Sequence, residues 1–174
     1  MRFNPHPSRL FTASTPVCFH VCASNFAPER SFTMLIGISP VISPELLKML
    51  CEMGHGDELV LADCNYPGAS NAKRLLRADG LSVSAILEGI APLFPFETYF
   101  DPLIMMQVVA GDRLDPAVEA DFLRVIRRHQ PSVPAPTRIE KFAFYERSRN
   151  AFGVLMTGET RLYGCLIIKK GVIA

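Results

Sequence analysis

Residues 43–63 read Ser43-Pro44-Glu45-Leu46-Leu47-Lys48-Met49-Leu50-Cys51-Glu52-Met53-Gly54-His55-Gly56-Asp57-Glu58-Leu59-Val60-Leu61-Ala62-Asp63, and the apolar pattern changes character in the middle. Ahead of Gly54, Leu46, Leu47, Leu50 and Met53 recur at helical spacing behind Ser43, Pro44 and Glu45. A serine N-cap, a proline at the first helical position and an early acid predict a helix over 44–53. Beyond it, Glu58–Ala62 is a short apolar run that suits a buried strand, with Asp63 at the strand's end. A helix handing over to a buried strand is the alternation of a layered α/β domain.

The same alternation continues downstream. Ser82 caps a helix with Val83, Ile86, Leu87 and Ile90 on one face, stopped by Pro92 and Pro95. Leu103–Val109 reads as a strand. Asp115-Pro116 opens a helix with Val118, Phe122, Val125 and Ile126 inward and Arg124, Arg127 and Arg128 on a solvated face, followed by a loop carrying Pro131, Pro134 and Pro136. Ile139, Phe142, Ala143 and Glu146 recur at helical spacing and predict a helix over 139–150. Phe152–Thr157 and Leu166–Lys169 read as strands around a turn at Gly158. The expected fold is α/β, a single layered domain over 34–174 with a mostly buried sheet flanked by helices.

Residues 1–33 look foreign to this body. They hold Arg2, Arg9 and Arg30 against the single acid Glu29, four of the 14 prolines and none of the 11 glycines. A basic, acid-poor leader superficially suits a transit peptide, but Pro5, Pro7, Pro16 and Pro28 interrupt any long amphipathic helix. The expectation is a disordered leader or a mis-called start, with the domain beginning near Met34. Cys18 and Cys22, with His20 between them and His6 nearby, would make half a zinc site and no more.

The whole chain of 174 residues carries 18 Lys and Arg against 17 Asp and Glu, a formal charge of +1, with no basic stripe to neutralise phosphates. Nucleic acid is therefore not expected as a partner. No apolar run approaches the roughly 20 residues of a membrane-spanning helix, so no membrane partner is expected either. The five cysteines lack a paired framework and there is no secretory signal, which points to a reducing, cytoplasmic compartment. Gly-rich phosphate loops, Gly-x-Ser-x-Gly elbows and His-Glu-x-x-His helices are all missing from the sequence.

Two histidines lie in the body, His55 and His129. His55, between Gly54 and Gly56 at the helix end, can serve as a proton donor near neutral pH, supported by carboxylates such as Asp57 or Asp63. Equally, it can do no more than hydrogen-bond the last helix carbonyls. His129, in an Arg-Arg-His-Gln context, reads as surface. Asp63 at a strand end can accept a hydrogen bond from a ligand hydroxyl or can cap the following turn. Tyr163 can face a sugar or anchor a core edge, Tyr145 reads as core, and Phe142, Phe144, Met105 and Met106 read as packing.

Five blocks of the body carry a resemblance. Ile42-Ser43-Pro44-Glu45-Leu46-Leu47-Lys48, Glu52-Met53-Gly54-His55-Gly56-Asp57-Glu58, Arg77-Ala78-Asp79-Gly80, Phe142-Ala143-Phe144-Tyr145-Glu146-Arg147, and Tyr163-Gly164 with Lys169-Lys170-Gly171 resemble the L-fucose mutarotase branch of the D-ribose pyranase/L-fucose mutarotase family. The match runs in register from about Met34 to the C-terminus, and the Phe-Ala-Phe-Tyr-Glu-Arg block points to the fucose branch. The resemblance implies an isomerase that exchanges the anomers of a free monosaccharide, L-fucose above all, without metal or organic cofactor. It further implies a homodecameric ring with sites near subunit interfaces. His55 would be the proton donor, and Asp63, Lys141, Tyr163, Gly164 and Cys165 would bind the sugar. Lys141 stands where the family has Arg and Cys165 where it has Asn, so the reaction type is more firmly implied than the sugar preference. A pyranase acting on ribose and a non-catalytic sugar-binding ring are the alternatives.

Overall fold

The computed structural model describes Met1 and residues 35–173. The boundary expected near Met34, the leader, and the His6, Cys18, His20 and Cys22 grouping lie outside those residues. The elements run α1 (Pro44–Glu52), β1 (Glu58–Ala62), α2 (Gly68–Asn71), β2 (Leu75–Ala78), α3 (Val83–Ile90), β3 (Leu103–Met106), α4 (Pro116–Arg127), β4 (Thr137–Ile139), α5 (Lys141–Asn150), β5 (Gly153–Thr157) and β6 (Leu166–Lys169). Helix starts follow their local chemistry. Ser43 Oγ accepts from the Leu46 amide at 3.1 Å, Ser82 Oγ from Ala85 at 3.2 Å and Asp115 Oδ1 from Ala117 at 2.9 Å, caps worth about 1 kcal/mol each.

One six-stranded sheet has the order β2-β5-β1-β6-β3-β4. The β1–β5, β2–β5 and β3–β4 pairs are parallel, whereas β6 runs antiparallel to both β1 and β3. Because strand side chains alternate between faces, β1 sends Leu59 and Leu61 to one core and Val60 and Ala62 to the other. The first core receives α1, α3 and α4 through Leu46, Met49, Leu50, Ile86, Leu87, Val118 and Phe122, among others. Across the sheet, the second is closed by Tyr66 and by Phe144 of α5. Burial on both faces is why β1 reads as a continuous apolar run.

The structure departs from the sequence reading at several elements. β3 stops at Met106, because its partner β4 ends at Ile139 and the chain then turns through Gly111. Ile139 belongs to β4, and α5 starts only after Glu140, whose carboxylate caps the Phe142 and Ala143 amides at 2.7 and 3.2 Å. The helix accordingly begins at Lys141 rather than 139, and the packing role expected of Phe142 is not met. Phe144 and Ser148 are buried, whereas Phe142 is 72% exposed and Ala143 and Glu146 face solvent. With Lys, Glu and Arg distributed around a short helix, packing of Phe144 edge-on against Tyr66 decides the rotation. Tyr145 is half-buried and also meets Tyr66 edge-on. The edge strands β2 and β4 and the single turn α2 were not legible, being too short to show a period.

Gly158 closes the β5 end against the β2–α3 turn, donating its amide to the Leu81 carbonyl at 2.8 Å. A Cβ there would run into the Asp79 carbonyl oxygen. Gly158→Ala is expected to cost about 1–3 kcal/mol of stability, seen as a lower denaturant midpoint at unchanged slope. An unchanged midpoint would show that the two turns can part without cost.

Candidate functional site

The topology sorts the candidate residues into two groups at opposite ends of the sheet. Asp63 follows β1, Lys141 follows β4, and Tyr163, Gly164 and Cys165 precede the antiparallel β6, so all five gather at the carboxyl ends of the parallel strands. His55 precedes β1 and lies at the other edge. At about 3.3 Å per residue the five-residue β1 keeps the groups roughly 16 Å apart.

At the first edge, Asp63 is buried and caps the following turn, its Oδ1 accepting from the Asn65 amide at 3.0 Å. Its own amide donates to Cys165 Sγ at 3.3 Å. Burial pushes the Asp63 carboxyl above its ordinary range against the opposing pull of these hydrogen bonds. Cys165 is fully buried, and that burial, reinforced by Asp63, raises its thiol well above the usual value. The side chain is thus a neutral thiol facing Asp63. Gly164 is buried as well and its packing leaves no room for a side chain, since a Cβ there would fall 2.7 Å from Glu159 Cγ and 2.8 Å from the Arg161 carbonyl oxygen.

Tyr163 has φ 60°, the left-handed region, and is the sole non-glycine residue so placed among the described residues. Such strain costs about 1–3 kcal/mol and persists where the surroundings over-determine it. Here the phenol oxygen accepts from the Val109 amide at 3.1 Å and faces Asp112, whose carboxylate raises the phenol above its ordinary range. Arg161 braces the same loop from below through Glu159 at 2.9 Å and Asp121 at 2.8 Å. Lys141 stands exposed at the first position of α5, 5.7 Å from the Tyr145 ring centroid. A cation at a helix N-terminus opposes the macrodipole, so helix formation does not account for it.

At the second edge, His55 is half-exposed and its Nε2 lies 2.7 Å from Glu97 Oε2. Glu97 is itself buried; its Oε1 accepts from the Tyr99 and Thr98 amides at 2.8 and 2.7 Å. The Tyr99 amide foremost, with Thr98 and His55, holds this carboxyl below the usual range. A carboxylate has no proton to give, so Nε2–H is the donor and Nδ1 is the nitrogen left for a ligand. The partner expected for His55 was Asp57 or Asp63. Neither is available, because Asp57 Oδ2 accepts from the Gly54 amide at 2.7 Å and Asp63 lies at the far edge. Nor does His55 take the last helix carbonyls. Lys170 Nζ donates to Leu50 and Met53 at 2.7 and 2.6 Å instead. Glu97 was missed because 42 residues separate it from His55 and its apolar neighbours mark it only as a lone acid. His129 is exposed, as expected.

Residues 36–173 match the RbsD / FucU transport protein family. The chain is 56% identical over 140 residues to the L-fucose mutarotase of Histophilus somni strain 129Pt, covering 80% of this chain and 97% of that protein. Among solved structures it is similar to the fucose mutarotase of Streptococcus pneumoniae in complex with L-fucose, at 43% identity and a TM-score of 0.76, covering 80% of this chain and 100% of that one. It is likewise similar to FucU from Bifidobacterium longum, at 43% identity and a TM-score of 0.75, covering 79% and 99%.

Proposed function

This chain belongs to the RbsD / FucU transport protein family, and from that premise we propose that it interconverts the α and β anomers of L-fucose. The observation that carries the chemistry is a half-exposed imidazole held through Nε2 by a buried carboxylate, with Nδ1 left for a substrate. Anomer exchange opens a hemiacetal to the aldehyde and recloses it on the other face. The ring oxygen must gain a proton while the anomeric hydroxyl loses one. As an imidazolium, His55 donates from Nδ1 to the ring oxygen, and a carboxylate or water takes the hydroxyl proton. After rotation about the adjacent C–C bond the same transfers run in reverse. All the protons moved already exchange in water, so positioned acid and base suffice and the reading includes no cofactor.

A ring-shaped homo-oligomer, a decamer, completes the reading, with each site assembled from the His55 edge of one copy and the Asp63, Lys141 and Tyr163 edge of another. Support comes from the rims of the two edges. Tyr99 and Phe100 beside Glu97 are 76% and 70% exposed, and Phe142 and Leu162 beside Lys141 and Tyr163 are 72% and 60% exposed. Exposed apolar side chains around two separated half-sites are what a self-interface would cover. Among the described residues no helix is long and apolar enough to cross a membrane. The cytoplasm is the compartment in which unpaired thiols such as Cys51 and Cys64 persist.

Saturation-transfer NMR on L-fucose and D-ribose, with and without the protein, tests the reading. Faster exchange of L-fucose supports it. Acceleration of D-ribose alone would make the protein a pyranase, and binding without acceleration a sugar-binding ring. In the same assay Lys141→Met is expected to weaken L-fucose binding by about 10- to 100-fold, the loss of a charged hydrogen bond, while Lys141→Arg holds or improves it. Equal affinities for all three proteins would remove Lys141 from the sugar site.

A further inference from the structure

The two roles open to His55, proton donor or ligand of the helix carbonyls, are separated by one residue just beyond the last strand. We propose that Lys170 is a positioning residue for His55, holding the imidazole on Glu97 by occupying the carbonyls at the end of α1. The proposal rests on the donor role given to His55 above.

An α-helix leaves its last four carbonyls without intrahelical partners. At the end of α1, Lys170 Nζ donates to two carbonyls of that final stretch, Leu50 at 2.7 Å and Met53 at 2.6 Å. The backbone of the same residue grips the other side of the loop. Its carbonyl accepts from the Gly56 amide at 2.8 Å and its amide donates to the Asp57 carbonyl at 2.9 Å. The segment 53–57 is therefore clamped along its length by Lys170, and Asp57 adds a tie to Gly54. Within that clamp, Gly56 at φ 84° allows the chain to reverse into β1.

His55 sits two residues beyond Met53 on a backbone flanked by glycines. Histidine near a helix C-terminus commonly donates to the last carbonyls. Without the Lys170 ammonium, the Leu50 and Met53 carbonyls lose their side-chain donor, and the His55 ring is the N–H group free to turn toward them. That rotation would take Nε2 off Glu97 and carry Nδ1 away from where the substrate's ring oxygen must lie. Lys170 touches neither the substrate nor the imidazole in this arrangement. Its effect on catalysis runs entirely through the orientation of His55.

The test uses the full chain with Lys170→Met, Lys170→Gln and Lys170→Arg. Lys170→Met is expected to lower kcat for L-fucose exchange by about 10- to 100-fold, the usual cost of a misplacement near 1 Å, with KM unchanged. A crystal structure of this variant is expected to show His55 turned from Glu97 toward the Met53 carbonyl. Lys170→Arg, which can still donate to both carbonyls, is expected to restore most of kcat and the original ring position. If the methionine variant does not fold, Lys170→Gln, keeping one donor side, carries the same measurements. A folded variant with normal kcat and His55 still on Glu97, or one that loses thermal stability alone, overturns the proposal. Should the unsubstituted protein fail to accelerate anomer exchange, the activity reading falls, and the ring position in the variant still decides the role of Lys170.

Discussion

His55→Ala is expected to lower the rate of L-fucose anomer exchange by about 10²–10⁴-fold, the range of a positioned general acid–base group. The fold should be indifferent to the change. His55 lies in the loop between α1 and β1, half-exposed, and the carbonyls it would otherwise cap are served by Lys170. What the substitution removes is the only imidazole of the described residues that is fixed on a carboxylate, since His129 is exposed at the end of α4. The Glu97 carboxylate left behind keeps its two amide donors from Thr98 and Tyr99, which limits the penalty of losing its third. NMR exchange rates, with circular dichroism and native mass to show an intact assembly, provide the measurement. Wild-type exchange in the alanine variant would remove His55 from the mechanism.

A second large effect is expected from mixing two inactive proteins. His55→Ala and Tyr163→Phe should each be slow alone, yet hetero-oligomers made by co-expression should regain about a quarter of the wild-type rate. The reason is the length of β1, which holds His55 and Tyr163 roughly 16 Å apart in one chain. A single sugar ring does not bridge that gap, so a site using both must draw them from different copies. In a random mixture some interfaces then pair an intact His55 edge with an intact Tyr163 edge. Others combine both lesions. Native mass spectrometry verifies the mixing and counts subunits, with ten expected. Verified hetero-oligomers with no recovered activity would sink the shared site.

Elements whose instructions are local were legible in the amino-acid order. Ser43, Ser82 and Asp115 start helices because a side-chain oxygen beside the first free amides acts over three residues. Glu58–Ala62 reads as a buried strand because an apolar run of that length needs two covered faces, and Leu166–Lys169 reads as a strand beyond the turn at Gly158. The Met-Gly-His-Gly-Asp and Phe-Ala-Phe-Tyr-Glu-Arg blocks carried the family for the same reason, each being contiguous. Tertiary structure alone decided the rest. The rotation of α5 depends on Tyr66, far away in the chain, and the edge strands β2 and β4 exist only because β5 and β3 offer partners. It also decided the partner of His55. Glu97 reaches His55 across 42 residues, and Lys170 reaches the Met53 carbonyl beside it across 117, through the antiparallel return of β6 and the bridge between Phe96 and Lys170. Hydrogen bonds between groups so distant in sequence leave no spacing to read, and the placing of Tyr163, Gly164 and Cys165 beside Asp63 follows from the antiparallel direction of β6, which no local pattern encodes.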